Sequence, residues 1–182
     1  RSSVTHQLRS ALRAHIGGEV DVGVVYDVCH NIARVEEHVV HGSSCTCCVH
    51  RKGATRSFGG DNPEIARNFS GIGQPVLVPG DMGTASYVMA GPSSGTNRAF
   101  GSSCHGAGRA MSRTEARKKI DGAAVKRELA EKGVAIYETH EKYLSEEAPD
   151  AYKNVDDVIR LTEKAGLARP VARLKPLIVI KG

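Results

Sequence analysis

The sequence has no tryptophan, and its three phenylalanines and five tyrosines bring the aromatic share of 182 residues to only 4%. A platform on which successive single-stranded bases stack is therefore not expected, which leaves backbone and end recognition as the route to any nucleic-acid partner. No apolar run is long enough to span a bilayer, and no apolar stretch follows Arg1 as a secretory signal would require. The expectation is a soluble, cytosolic protein with no membrane contact. The five cysteines are an odd number, and without a secretory signal they argue against a disulfide framework. Cys45, Cys47 and Cys48 cluster between His41 and His50, but they lack the second pair that a zinc knuckle needs, so small buried strand residues are expected ahead of a zinc module.

What is present is a modest excess of positive charge, a net +5 with a pI near 9.0. Charge of that size fits a polyanionic partner without requiring one. Its placement says more, because Arg51, Lys52, Arg56, Arg109 and Arg113 lie in or beside glycine-containing motifs. The most informative of these is "SSCHGAGRAMSR", Ser102 to Arg113. Gly106 and Gly108 flank Ala107, allowing the chain to turn sharply and present backbone N–H groups to an anion, and the fork of Arg109 suits phosphate oxygens. His105 stands where a nucleophile would be. The plain alternative is a polar loop with a surface histidine.

Periodicity gives a coarse sequence of elements. A helix is expected near Val4 to His15, a strand near Val20 to Val28, and a hairpin over "EEHVVHGSSCTCCVHRKG" that turns at Gly-Ser-Ser. A short helix around Pro63 to Phe69 precedes strands at Pro75 to Val78 and Ala85 to Met89. Helices are expected at Ser112 to Ile120 and at Gly122 to Lys132, the second with Val125 and Leu129 on one face and Gly133 as its stop. Val134 to Tyr137 reads as a strand, Asn154 and Asp157 as the capped start of a helix ending at Gly166, and Leu177 to Ile180 as a last strand. Hairpins without regular β-α-β alternation point to an α+β fold.

Three further segments are as distinctive as the histidine turn: "VYDVCHNIARVEEH" (Val25 to His38), "VHRKGATRSF" (Val49 to Phe58) and "GQPVLVPGDMGTASYVMAG" (Gly73 to Gly91), with "IVIKG" at the end. Together and in this order they closely resemble the C-terminal half of the RtcB family, the GTP-dependent ligases that join RNA ending in a 3′-phosphate or 2′,3′-cyclic phosphate to RNA beginning with a 5′-hydroxyl, as in tRNA splicing and RNA repair. The likeness runs from about Gly18 to the end, and several long motifs in order are far more specific than a lone glycine signature. Length alone suggests one ordinary domain. The resemblance instead implies that residues 1–182 are the C-terminal half of a single catalytic domain, built on packed mixed and antiparallel sheets with helices around them.

The resemblance also implies roles. His105 matches the nucleophile that takes a guanylyl group from GTP. The nucleotide pocket would comprise Asn31, Pro79, Gly80, Asp81, Met82, Ser86, His105, Gly106, Ala107, Gly108, Tyr152 and the penultimate Lys181, which would contact the guanine. Asp81 departs mildly from members with serine there. His30 matches one manganese ligand, and the family's other ligands, an aspartate, a cysteine and further histidines, belong to its N-terminal half. Cys29, adjacent to His30, is expected to pack rather than ligate. Lys52, Arg109 and Arg113 would contact RNA or phosphate. The partners implied are GTP, Mn²⁺, RNA ends such as tRNA halves, and a separate N-terminal half or an activating protein. The alternative is an incomplete or split module that binds nucleotide or RNA ends without catalysis of its own.

Overall fold

The computed structural model describes residues 2–16, 21–93, 99–137 and 140–180. In chain order the elements are α1 (Ser2–Ile16), β1 (Asn31–Val40), β2 (Ser43–Lys52), β3 (Ala54–Arg56), β4 (Pro75–Pro79), β5 (Ser86–Ala90) and β6 (Ser102–Cys104). They continue with α2 (Arg113–Lys119), α3 (Gly122–Glu131), β7 (Ala135–Tyr137), α4 (Glu141–Glu146), α5 (Val155–Lys164), β8 (Arg169–Leu174) and β9 (Ile178–Ile180). The fold is α+β. Antiparallel pairs β1–β2 and β3–β6, an antiparallel β4–β5–β8 sheet and a parallel β7–β9 pair share the described residues with the five helices.

The β1–β2 hairpin turns one residue earlier than Gly-Ser-Ser. Val40 faces Ser43, and His41 and Gly42 form the two-residue loop with φ of 50° and 81°. Two consecutive left-handed residues match the twist of the strands they join, and Gly42 supplies one of them without steric cost.

Two apolar clusters organise the rest. In the first, Val155 and Ile159 of α5 lie on Val76, Val78 and Met89 of the β4–β5 sheet, with Ala107 from the histidine turn set among them. Asn154 starts α5 by accepting hydrogen bonds from the backbone N–H groups of Asp156 and Asp157, as its short oxygen-bearing side chain favours. In the second, Val125 and Leu129 of α3 pack with Leu144, Ala148, Val134 and Met82. At the end of α3, Gly133 N–H bonds to Ala130 O and Val134 N–H to Leu129 O, with Gly133 at φ 74°, a Schellman stop that turns the chain into β7. The histidine turn is thus anchored in one cluster and the Pro79–Met82 loop in the other.

Several expectations are corrected. Residues 21–29 form no strand. Their carbonyls are taken by side chains instead, Val22 O by Arg9 Nε at 2.6 Å and Cys29 O by Thr55 Oγ1 at 3.2 Å, while Val24 and Val25 stay exposed. The helix over Pro63 to Phe69 shrinks to a 3₁₀ turn at Arg67–Phe69, because Asn62 captures Glu64 N–H with its side chain and Ile65 N–H with its carbonyl. The cysteines are not uniformly buried. Cys45 and Cys47 are half-buried on one face of β2, Cys48 is exposed on the other, and Cys29 is exposed rather than packed. No described helix is long and apolar enough to cross a membrane.

Candidate functional site

His30 and His105 are separated by 74 intervening positions in the sequence, and strand pairing brings them together. Gly53 N–H bonds to His30 O at 3.1 Å, closing the base of the β1–β2 hairpin. The chain then enters β3, where Ala54 pairs with Cys104, the residue immediately before His105. The two imidazoles consequently stack, with ring centroids 3.9 Å apart and planes 8° from parallel. Both rings are half-buried. Burial holds the His105 ring below the usual histidine range, and the neighbouring His30 adds to that depression.

The turn that follows is fastened on three sides. Ala107 N–H bonds to Pro79 O at 3.0 Å, joining the turn to the Pro79–Met82 loop. Gly108 has φ 75° and open space where a Cβ would stand, and its carbonyl accepts Lys153 N–H at 3.0 Å. Beyond it, Arg109 and Tyr152 form an isolated antiparallel bridge.

Arg109 sits differently from a free phosphate clamp. Its Nε donates to Met111 O at 3.0 Å, Nη1 to Tyr152 Oη at 3.2 Å and Nη2 to Glu146 O at 2.5 Å, and its guanidinium lies 4.9 Å from the Tyr152 ring centre. Glu147 completes the group, 3.6 Å from Arg109 and accepting a short hydrogen bond from Tyr152 Oη. Burial and the Glu147 carboxylate push the Tyr152 hydroxyl up to about 12, so it remains a proton donor at neutral pH. Glu146 and Glu147 were not singled out by sequence. The only signal for them was an acidic pair in an otherwise ordinary charged helix.

Pro79 pairs with Ser86 across β4–β5, and Ser86 Oγ lies 3.4 Å from Gly80 N, within the same loop region as the turn. Asp81 spends its carboxylate locally, accepting from Gly83 N–H at 2.7 Å and from Thr84 Oγ1 at 2.8 Å. Met82 is buried in the second core cluster, which anchors the loop that carries Asp81. Asn31 and Lys52 are exposed Cα partners at the hairpin base, next to His30. Arg113 is largely exposed, with Glu146 and Glu147 at 3.6 and 3.7 Å. Lys181 lies outside the described residues.

Arg51, one of the basic residues near the motifs, is a structural tie. It is buried, holds Glu36 through two hydrogen bonds of 2.9 and 2.7 Å, and reaches Ser102 Oγ and Phe100 O. This fixes the hairpin to the strand that delivers His105.

Among the described residues, no three His, Cys, Asp or Glu side chains converge to hold a metal ion. His30 is a single imidazole donor, so the described residues do not by themselves fit a manganese centre.

Comparison with known proteins gives the sequence a family. A family model described as tRNA-splicing ligase RtcB matches residues 1–182. A tRNA-splicing ligase RtcB of Archaeoglobus fulgidus is 48% identical over all of this chain and 38% of its own length. An RNA-splicing ligase RtcB homolog 1 of Entamoeba dispar is 45% identical over all of the chain and 35% of its own length, and a Thermococcus kodakarensis relative is 44% identical over 38% of its length. The chain therefore spans little more than a third of these relatives. On the strength of a match along its whole length and close identity to these relatives, the chain belongs to the RtcB family.

Proposed function

We propose that this chain carries the nucleophile and much of the nucleotide cradle of a GTP-dependent RNA ligase. The observation that supports this most is the placement of His105: a half-buried ring stacked on His30, on a turn whose backbone is joined to the Pro79 loop, where burial favours the neutral form. A neutral imidazole is the nucleophilic form.

In the reaction proposed, a ring nitrogen of His105 attacks the α-phosphorus of GTP, forming a P–N bond as the bond to the β-phosphate oxygen breaks and pyrophosphate leaves. An oxygen of the RNA 3′-phosphate then takes the guanylyl group, restoring His105. The 5′-hydroxyl of the second RNA attacks the activated 3′-phosphorus, and GMP departs. The residues of this chain bind and orient: the 105–108 backbone and the Pro79–Asp81 loop face the nucleotide, and Lys52 and Arg113 offer exposed positive charge to phosphates. Arg109 acts here as the tie that holds the turn against Tyr152. The role of Lys181 at the guanine belongs to the same proposal.

Mn²⁺ would neutralise phosphate charge, with His30 as one donor and the others from beyond the described residues. No step above is assigned to it. That same single donor favours a second reading, in which the chain binds nucleotide or RNA ends and does no chemistry unless joined to the remainder of its relatives' length.

Incubation with GTP labelled at the α-phosphate and Mn²⁺ separates the two readings. The ligase reading predicts a labelled protein and, with RNA bearing 3′-phosphate and 5′-hydroxyl ends, a joined product from the chain completed with that remainder. If the completed protein binds GTP but takes up no label, the binding-module reading holds and the ligase reading falls.

A further inference from the structure

Among the described residues, a pair of reactive side chains lies apart from the histidine site. Cys45 and Cys47 lie side by side on the half-buried face of β2, with their sulfurs 3.5 Å apart. We propose that these two thiols form a binding site for a soft d¹⁰ cation, Cu⁺ or Zn²⁺, on the inner face of the β1–β2 hairpin.

The spacing is the main argument. Two thiolates on one tetrahedral ion at about 2.3 Å each stand roughly 3.8 Å apart, close to the observed separation, so little rotation is needed to admit the ion. Side chains two positions apart on a strand point to the same face, which holds both sulfurs toward one point. A disulfide fits less well. Such residues are roughly 6.6 to 6.8 Å apart along a strand, at the upper limit of the Cα separation a disulfide spans. A bridging ion supplies the reach that a direct S–S bond lacks.

The surroundings suit a site of two protein ligands. His38 and Glu36 stand directly opposite Cys45 and Cys47 in the β1–β2 register. Glu36 is committed to Arg51 and to His38 Nε2, which lies 3.1 Å from it, so neither group is already aimed at the sulfurs. Among the described residues no third ligand is in place, and solvent or an exogenous ligand would complete the coordination. Thiolates select Cu⁺ and Zn²⁺ over the harder Mn²⁺ and Mg²⁺. Cys48 is excluded. It points to the opposite face, where its sulfur lies 3.5 Å from His50 Nε2. Thiolate is the ligating form, so metal uptake would release the thiol protons.

The test is metal titration of the reduced, chelator-stripped protein with Cu⁺ and, separately, Zn²⁺, against a chromophoric competitor, with Co²⁺ as a spectroscopic probe. The expected result is one equivalent of Cu⁺ or Zn²⁺ that disappears in Cys45→Ser and Cys47→Ser and persists in Cys48→Ser. Affinity should fall by at least the roughly 100-fold that loss of an outer-shell partner alone can reach. A thiolate-to-cobalt charge-transfer band in Cys48→Ser gives the same answer if the other variants fail to fold. The comparison of the two ions shows which one the site prefers. Failure of both ions to bind, binding that survives both Cys45→Ser and Cys47→Ser, or a Cys45–Cys47 disulfide in place of metal uptake would overturn the proposal.

Discussion

The imidazoles of His30 and His105 lie face to face, 3.9 Å apart and nearly parallel. Each therefore covers one face of the other and adds a positive charge beside it when protonated. Burial is the larger cause of the depressed His105 pKa, and the stacked ring contributes to both burial and charge. In His30→Ala, the His105 pKa should rise toward its usual 6.5. An NMR pH titration of metal-free protein measures it, and an unchanged or lower value would remove the pairing from the account.

Glu36 is buried with Arg51, and half-buried His38 lies against it. Burial alone would push its carboxyl up, but hydrogen bonds from Arg51 and His38 outweigh that and hold it below its usual 4.5. A carboxyl with a depressed folded pKa contributes stability that is complete above the unfolded value, and that stability drains away as pH falls below 4.5 through the folded value. Glu36→Gln leaves the Arg51 charge buried without its partner and should cost about 3–5 kcal/mol. Urea unfolding at neutral pH reads the loss. The variant should also show a shallower decline in stability below that pH than the parent.

Arg109 holds the histidine turn to the 146–152 segment through two donors and braces its own segment through a third, at Met111 O. If it is a tie, Arg109→Lys should lower stability by about 1–3 kcal/mol, because one ammonium cannot reproduce the planar fork and leaves partly buried acceptors unpaired. A thermal melt decides the matter. A variant that melts like the parent yet loses affinity for RNA would return Arg109 to the role of phosphate clamp.

Manganese affinity is the next test. With His30 as the one donor proposed among the described residues, the 182-residue chain should bind Mn²⁺ weakly, and completing it with the remaining length of its relatives should restore tight binding. Calorimetry compares the two, and a tight site in the 182-residue chain would contradict the prediction.

Local signals carried most of the elements into view. The Asn154 cap, the Gly133 stop and the alternation of β4 are written in neighbouring residues, and each is where those residues put it. Strand β8 was missed because Arg169–Leu174 is mostly exposed and contains Pro170, so it has neither clear alternation nor an uninterrupted ladder. Residues 21–29 misled in the opposite way, since alternating valines suggest a strand but none of the described strands pairs with them. At the site, motif resemblance pointed to His30, His105 and Tyr152, of which the structure stacks the first two and pairs the third with Arg109. It could not show that Arg109 and Arg51 are spent internally, because that depends on the carboxylates Glu147 and Glu36 arriving from distant parts of the chain.

The central claim is that His105 is the nucleophile. With the chain completed, GTP labelled at the α-phosphate and Mn²⁺ should leave a labelled adduct that is acid-labile and alkali-stable, as a phosphoramidate is, and peptide mapping should place it on His105. His105→Ala should abolish both adduct and ligation while leaving the fold intact by circular dichroism. An adduct formed at full yield in His105→Ala would contradict the nucleophile assignment and the mechanism built on it.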